Sequence, residues 1–185
     1  MRIGLYGGSF NPVHAGHVGV ARRAIAELAL DRLLVIPAAV SPFKVGAGER
    51  AGFSPEVRLE LVRLAFADVD KAEVDDRELR RGGVSYAIDT VRAVAAENPG
   101  AELFFIIGED SRAGLPHWKE YDTLARLCRF VAYPRTRESS TEVRRRLAAG
   151  EPLGDLVPPA VAARLWEGRA PSRPHMTDGT EPVPP

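Results

Sequence analysis

The sequence predicts an α/β fold built on a doubly wound parallel sheet of about five strands with helices on both faces, and three observations predict it. Short apolar runs alternate with stretches of helical periodicity over most of the 185 residues. The runs LLVIP and LFFII are apolar without interruption, as strands covered on both faces should be. A glycine-rich segment, GGSFNPVHAGH from Gly7 to His17, joins the first strand to the first helix, where sheets of this kind bind ligands.

Strands are expected at Arg2–Tyr6, Arg32–Ile36, Ala72–Asp75, Glu102–Ile107 and Arg129–Tyr133. Helical periodicity fills the intervals. Over Val18–Leu30, a stripe of Val18, Ala21, Ile25 and Leu28 leaves Arg22, Arg23 and Glu27 on the other side. A second helix opens at Ser54-Pro55-Glu56, a cap followed by proline at the first position and an acid in the first turn. Its core face is Val57, Leu61, Leu64 and Ala65. A third runs from about Tyr86 through Ile88, Val91 and Ala95 and stops before Asn98-Pro99-Gly100. Tyr121, Leu124, Leu127 and Cys128 mark a fourth, and Thr141–Ala149 with Pro159–Trp166 form a short C-terminal helical segment. These elements make one domain over residues 1–169; the proline-rich remainder, 170–185, is expected to be disordered.

Lysine plus arginine equals aspartate plus glutamate, 25 of each, so bulk charge points to neither nucleic acid nor membrane. No stretch reaches the roughly 20 apolar residues of a membrane helix, and MRIGLYGG starts directly as strand, without a signal-peptide core. The single cysteine, Cys128, lies between apolar residues and reads as a small core residue in a protein of the reducing cytoplasm. No clustered His, Cys or carboxylate spacing suggests a metal held by protein groups alone.

The chemistry-bearing residues gather in the loops that follow the strands. Gly7 and Gly8 allow the backbone to approach a ligand without a Cβ in the way. The unpaired N–H groups at the start of the next helix favour an anion in the same space. His14 and His17, three apart, share one side of that first turn. Together these make a phosphate cradle, beside the plainer reading that a histidine merely completes the turn. Ser139 with Glu142 three residues on has the spacing of a capping box, and that capped start is a second anion site with Arg144 one turn in.

GGSFNPVHAGH, with its H-x-G-H element His14-Ala15-Gly16-His17, resembles the signature of the nucleotidyltransferase superfamily. PAAVSPFK, DDRELRRGGVSYAIDT, FIIGEDS, LPHWKEY and SSTEVRRRL follow in the order of the nicotinate-mononucleotide adenylyltransferases, over nearly the whole chain except the tail. The resemblance implies a Rossmann-like fold and ATP-dependent adenylyl transfer to nicotinate mononucleotide, giving deamido-NAD and pyrophosphate. Mg²⁺ would arrive with ATP. The resemblance gives Gly7, Gly8, Ser9 and Phe10 to the ATP cradle, His17 to the α-phosphate and His14 to the phosphates nearby. Lys44 also meets ATP phosphates, and Ser139, Ser140, Thr141 and Arg144 take the β- and γ-phosphates. Gly108 and Asp110 lie against the adenosine ribose. Ser85, Tyr86 and Thr90 line the mononucleotide pocket, Trp118 stacks on the pyridine ring, and the Lys119 backbone N–H meets the nicotinate carboxylate. Read without the family, Ser85 is a helix cap and Thr90 a helix residue.

One departure stands out. Where the family has a few dozen residues and a further strand, this chain has only Arg135-Thr136-Arg137-Glu138, with Glu138 at a usually apolar position. The implied strand order is 3-2-1-4-5 with the fifth strand at an open edge. Four residues span at most about 14 Å, so the S-S-T loop must leave the fifth strand on the ligand side. Two alternatives stay open: a phosphopantetheine or other nucleotide adenylyltransferase, and a nucleotide-binding protein that has lost catalysis. Neither the residues nor the likeness assigns an oligomeric state.

Overall fold

Successive side chains of a strand point to opposite faces, so each strand buried on both sides feeds two cores. The computed structural model describes residues 1–42 and 52–167, and its sheet obeys that rule. The strands are β1 (Arg2–Gly8), β2 (Arg32–Pro37), β3 (Ala72–Val74), β4 (Glu102–Gly108) and β5 (Arg129–Tyr133). All pair in parallel, in the order β3-β2-β1-β4-β5. The helices are α1 (Ala15–Glu27), α2 (Pro55–Phe66), α3 (Arg77–Arg81), α4 (Ala87–Glu97), α5 (Tyr121–Leu127), α6 (Ser140–Ala149) and α7 (Pro159–Glu167), with 3₁₀ stretches at Glu109–His117 and Gly154–Leu156.

Leu33, Val35, Phe104 and Ile106 face one core with α1, α2, α6 and α7; Ile3, Leu5, Leu34, Ile36, Phe105 and Ile107 face the other with α4 and α5. Each large side chain buried this way stabilises the fold by roughly 1.5–3 kcal/mol. Cys128 is buried in the second core, and burial pushes its thiol up to about 12.

Three elements differ from expectation. Helix α1 starts at Ala15 and ends at Glu27, each three residues ahead of the expected limits at Val18 and Leu30. Its cap is His14, in extended conformation, so no Ser, Thr, Asp or Asn announces the start. Its end is set by Leu28, and Ala29 then turns out at φ 45°. Helix α3 has five residues, too few to display a period. The stretch Glu109–His117 winds as 3₁₀ around Pro116, polar and aperiodic. The expected tail, 170–185, and Lys44 lie outside the described residues.

The sheet's order reverses between β1 and β4, which neighbour each other in register from Arg2–Glu102 to Leu5–Phe105. Parallel strands end on a common edge, so the loops after β1, β2, β4 and β5 converge there. β5 is an outer strand, and Arg129 at its start is 71% exposed and ion-paired to Glu102 of β4 at 2.9 Å.

Candidate active site

Two cavities lie side by side at that edge. One, of about 770 Å³, is bordered by the glycine segment, the start of α1, the end of β4 and the link from β5 to α6. The other, of about 310 Å³, lies among the ends of β1 and β4, the start of α4 and the residues around Trp118. Gly7, Gly8, Ser9, Ile107 and Gly108 belong to both walls.

The larger cavity is built by two helix starts held together. The His14 backbone N–H donates to His17 Nδ1 at 3.1 Å, and the two rings lie 3.7 Å apart. With Nδ1 accepting, the proton of the neutral His17 ring sits on Nε2, which is left as a donor. Phe10, buried at φ 45°, backs this pair edge-on, 5.0 Å from the His17 ring. Across the cavity, Ser139 caps α6 by accepting the Glu142 N–H at 3.2 Å. Glu142's carboxylate is occupied by Arg145 and Arg146, so only half of the expected capping box forms. Ser140 Oγ donates to the Pro12 carbonyl at 2.8 Å, and Arg144 donates to the Asn11 carbonyl and to Thr141 Oγ1. These bonds pin α6 to the glycine segment 128 residues away.

The two helix starts meet closely because of Gly16. A Cβ there would stand 2.9 Å from Thr136 Cβ, closer than such atoms come, and tightly, at 3.0 Å, against a Glu138 carboxylate oxygen. Against the protein's own atoms, a Cβ at Gly7 would meet only ordinary contact, 3.6 Å from Phe105, and one at Gly8 would stand 3.2 Å from the Phe10 ring. The sharper constraint lies at the glycine of the H-x-G-H element.

Gly7, Gly8, Ser9, Phe10, His14, His17, Gly108, Asp110, Ser139, Ser140, Thr141 and Arg144 all border this one cavity. Arg135, Thr136 and Arg137, to which sequence reading assigned no individual role, border it as well. Asp110 is held by Arg135 at 2.9 Å, so its carboxylate has a donor partner at the strand end.

Burial lowers His17 to about 3, helped by repulsion from His14, and lowers His14 to about 4 against the pull of Glu138. Both rings are therefore neutral at pH 7. Unfolded, both titrate near 6.5, so between about pH 6.5 and 3 the unfolded chain binds more protons and stability falls as pH falls. Replacing His17 by Asn removes part of that dependence. Urea titrations between pH 7 and pH 4 should show His17→Asn losing less stability than the parent, by on the order of 2–3 kcal/mol. Identical losses would show that the ring is not held neutral.

The smaller cavity has aromatic walls. Trp118 packs edge-on against Phe105 and Phe130, at 5.7 and 5.9 Å, and is half-buried. Lys119 holds its ammonium 4.5 Å above the Tyr86 ring and 3.9 Å from Asp89. Ser85, Tyr86, Trp118 and Lys119 border this cavity, but Thr90 does not. Thr90 is fully buried and donates to Glu78 at 2.6 Å; Glu78 borders the cavity instead. Burial pushes the Glu78 carboxyl up, partly offset by the Thr90 and Ser85 hydroxyls. Ser85 is not a cap either: Tyr86 caps α4, and Ser85 Oγ accepts the Ala39 N–H at 2.9 Å.

Sequence reasoning also missed Arg58, in the first turn of α2 and only 4% exposed. The available signal was its place beside Val57 and Leu61, a charged residue on a helix's core face.

A sheet that reverses beside two helix starts sharing one cavity has the architecture of nucleotide-binding α/β proteins, and the cytidylyltransferase-like family profile matches residues 5–157; the chain belongs to that family. Its curated relatives are named nicotinate-nucleotide adenylyltransferases. The one from Geobacter sp. (strain M21) is 40% identical over 94% of this chain and 74% of its own length. The one from Gemmatimonas aurantiaca is 40% identical over 89% of this chain and 90% of its own length. Within the family, this chain therefore stands among the nicotinate-nucleotide adenylyltransferases. In fold it is similar to the Plasmodium falciparum nicotinic acid mononucleotide adenylyltransferase solved in complex with NaAD, with a TM-score of 0.71 and 14% identity, covering 91% of this chain and 96% of that one.

Proposed function

We propose that this chain joins ATP and nicotinate mononucleotide to give deamido-NAD and pyrophosphate, each substrate in one of the two cavities. The observation that carries this reading is the shared wall. Gly7–Ser9 and Gly108 separate a cavity ringed by helix starts, imidazoles and guanidiniums from one walled by aromatic rings. A triphosphate suits the first and a pyridine nucleotide the second, with their phosphates meeting at the wall.

In the reaction a mononucleotide phosphate oxygen bonds to the α-phosphorus of ATP. The bond from that phosphorus to the bridging oxygen breaks, and pyrophosphate leaves with the electron pair. No covalent enzyme intermediate is needed, so the work is positioning and charge stabilisation. His17 donates from Nε2 to the α-phosphate. His14 and the α1 start hold the neighbouring phosphates, and the α6 start with Arg144 holds the far end. Arg144 has to release the Asn11 carbonyl to do so. Lys44 is assigned to the phosphates as well. Nucleotidyl transfer from ATP generally needs a divalent cation; we assign Mg²⁺, arriving with ATP and held by phosphate oxygens and water. Among the described residues no group of three or more His, Cys, Asp or Glu side chains is placed to hold a metal. No helix of the described residues is long and apolar enough to cross a membrane.

The deciding experiment is pyrophosphate release with ATP, Mg²⁺ and either pyridine mononucleotide or phosphopantetheine. Product from the nicotinate form supports the reading. Product from phosphopantetheine alone, or nucleotide binding without product from any acceptor, overturns it. Trp118→Ala should raise the KM for the mononucleotide about tenfold, the scale of one lost aromatic stacking partner, while leaving the KM for ATP within about twofold. An equal rise in both would contradict the stacking role.

A further inference from the structure

We propose that Arg58 is a positioning residue that sets the spacing between the two substrates, an inference resting on the reading of two adjoining substrate cavities. Its side chain reaches from α2 to the segments that follow β1 and β2. Nη1 donates to the Ser9 carbonyl at 2.7 Å and to the Ala38 carbonyl at 2.8 Å, and Nη2 donates to the Ala39 carbonyl at 3.1 Å. One planar guanidinium thus grips the glycine segment after β1 and the segment after β2 at once. Ser9 stands in the wall that both cavities share, and Ala38 borders the smaller one.

The grip extends further. The Ala38 N–H donates to the Gly8 carbonyl at 2.9 Å, so the two segments are also tied directly. On its other side the Ala39 N–H donates to Ser85 Oγ, and the Ser85 N–H donates to the Val40 carbonyl, both at 2.9 Å. Ser85 and Thr90 hydroxyls both support the Glu78 carboxyl. A continuous, largely buried polar chain therefore runs from Ser9, in the shared wall, through Arg58 and the partly buried Ala39 to Ser85, on the mononucleotide side.

Physical cost argues for a role beyond packing. A guanidinium 4% exposed forfeits hydration that apolar side chains of similar volume would never need. What the arginine supplies and an apolar residue cannot is three directed bonds fixing two loops in register. In a reaction whose catalysis is mainly alignment, a displacement of about 1 Å costs on the order of 10²-fold.

Arg58→Met and Arg58→Lys test this by two readouts. In steady-state assays with ATP, Mg²⁺ and nicotinate mononucleotide, Arg58→Met should lose about 10²-fold in kcat per folded molecule, with both KM values within about threefold. Arg58→Lys, which keeps the charge but not the fork, should regain about tenfold of that. In hydrogen exchange of the ligand-free protein, the amides of Ala38, Ala39 and Ser85 should exchange at least tenfold faster in both variants, while the β1 and β4 amides keep their protection. That arm does not depend on turnover, and if Arg58→Met fails to fold, Arg58→Lys carries both readouts. An inactive parent protein defeats the adenylylation reading and leaves the exchange arm to judge Arg58. Parent-level kcat in Arg58→Lys, or unchanged exchange at the three amides, overturns the proposal.

Discussion

His17→Ala should lower kcat by about 10²–10³-fold, the scale of one lost oxyanion donor. The ring is placed with little freedom. Its Nδ1 is committed to the His14 N–H, its face lies against His14, and Phe10 meets it edge-on. A donor fixed before the reaction needs no reorganisation as charge grows on the α-phosphate. The variant also loses the acceptor for the His14 N–H, so some stability goes with it. His17→Asn separates the two effects, because a side-chain oxygen can restore the acceptor without supplying Nε2. Turnover should stay low in His17→Asn while the melting temperature recovers. If His17→Asn or His17→Ala turns over within a few-fold of the parent, His17 does not act on the phosphate.

Gly16→Ala is expected to cut kcat/KM for ATP by about 10–10²-fold and to destabilise the fold by roughly 1–3 kcal/mol, the usual range for overpacking. The new methyl would be pressed against Thr136 and Glu138, and Thr136 Cβ can move only with its backbone. That backbone is the short link delivering Ser139–Arg144 to the cavity. Pushing it away separates the α1 and α6 starts, which the Ser140–Pro12 and Arg144–Asn11 bonds hold together. The damage should fall on the triphosphate end, so the KM for the mononucleotide should change little. A purely structural penalty, with normal kinetics in the folded fraction, would mean the two helix starts need not be that close.

Much of this was legible in the sequence, for identifiable reasons. Uninterrupted apolar runs placed β2 and β4, because a strand buried on both faces leaves no room for polar residues, and shorter apolar runs between helical stretches placed the other three. The α2 start was read from Ser54-Pro55-Glu56, and Ser54 does accept from Val57 N at 3.4 Å. The α1 start was misplaced because a histidine pair caps it, a device outside the usual capping residues. The strand order rested on family likeness, since periodicity says nothing about which strands pair. Thr90 was put in the mononucleotide pocket by motif alone; its hydroxyl turns to buried Glu78 instead. Arg58 escaped notice because its partners are main-chain carbonyls from three positions, and carbonyls have no sequence signature.

The outer flank of β5 carries main-chain donors and acceptors that no other described strand engages, which makes it a template for unwanted assembly. Arg129 stands at one end and Arg135, 82% exposed, just past the other. Two molecules meeting head to tail along this flank would set Arg129 of each against Arg135 of the other, and meeting head to head would set like against like. Either way ion pair faces ion pair, Arg129–Glu102 or Arg135–Asp110, so an approaching edge would have to strip water from charged groups before its main chain could pair, and that cost guards the flank.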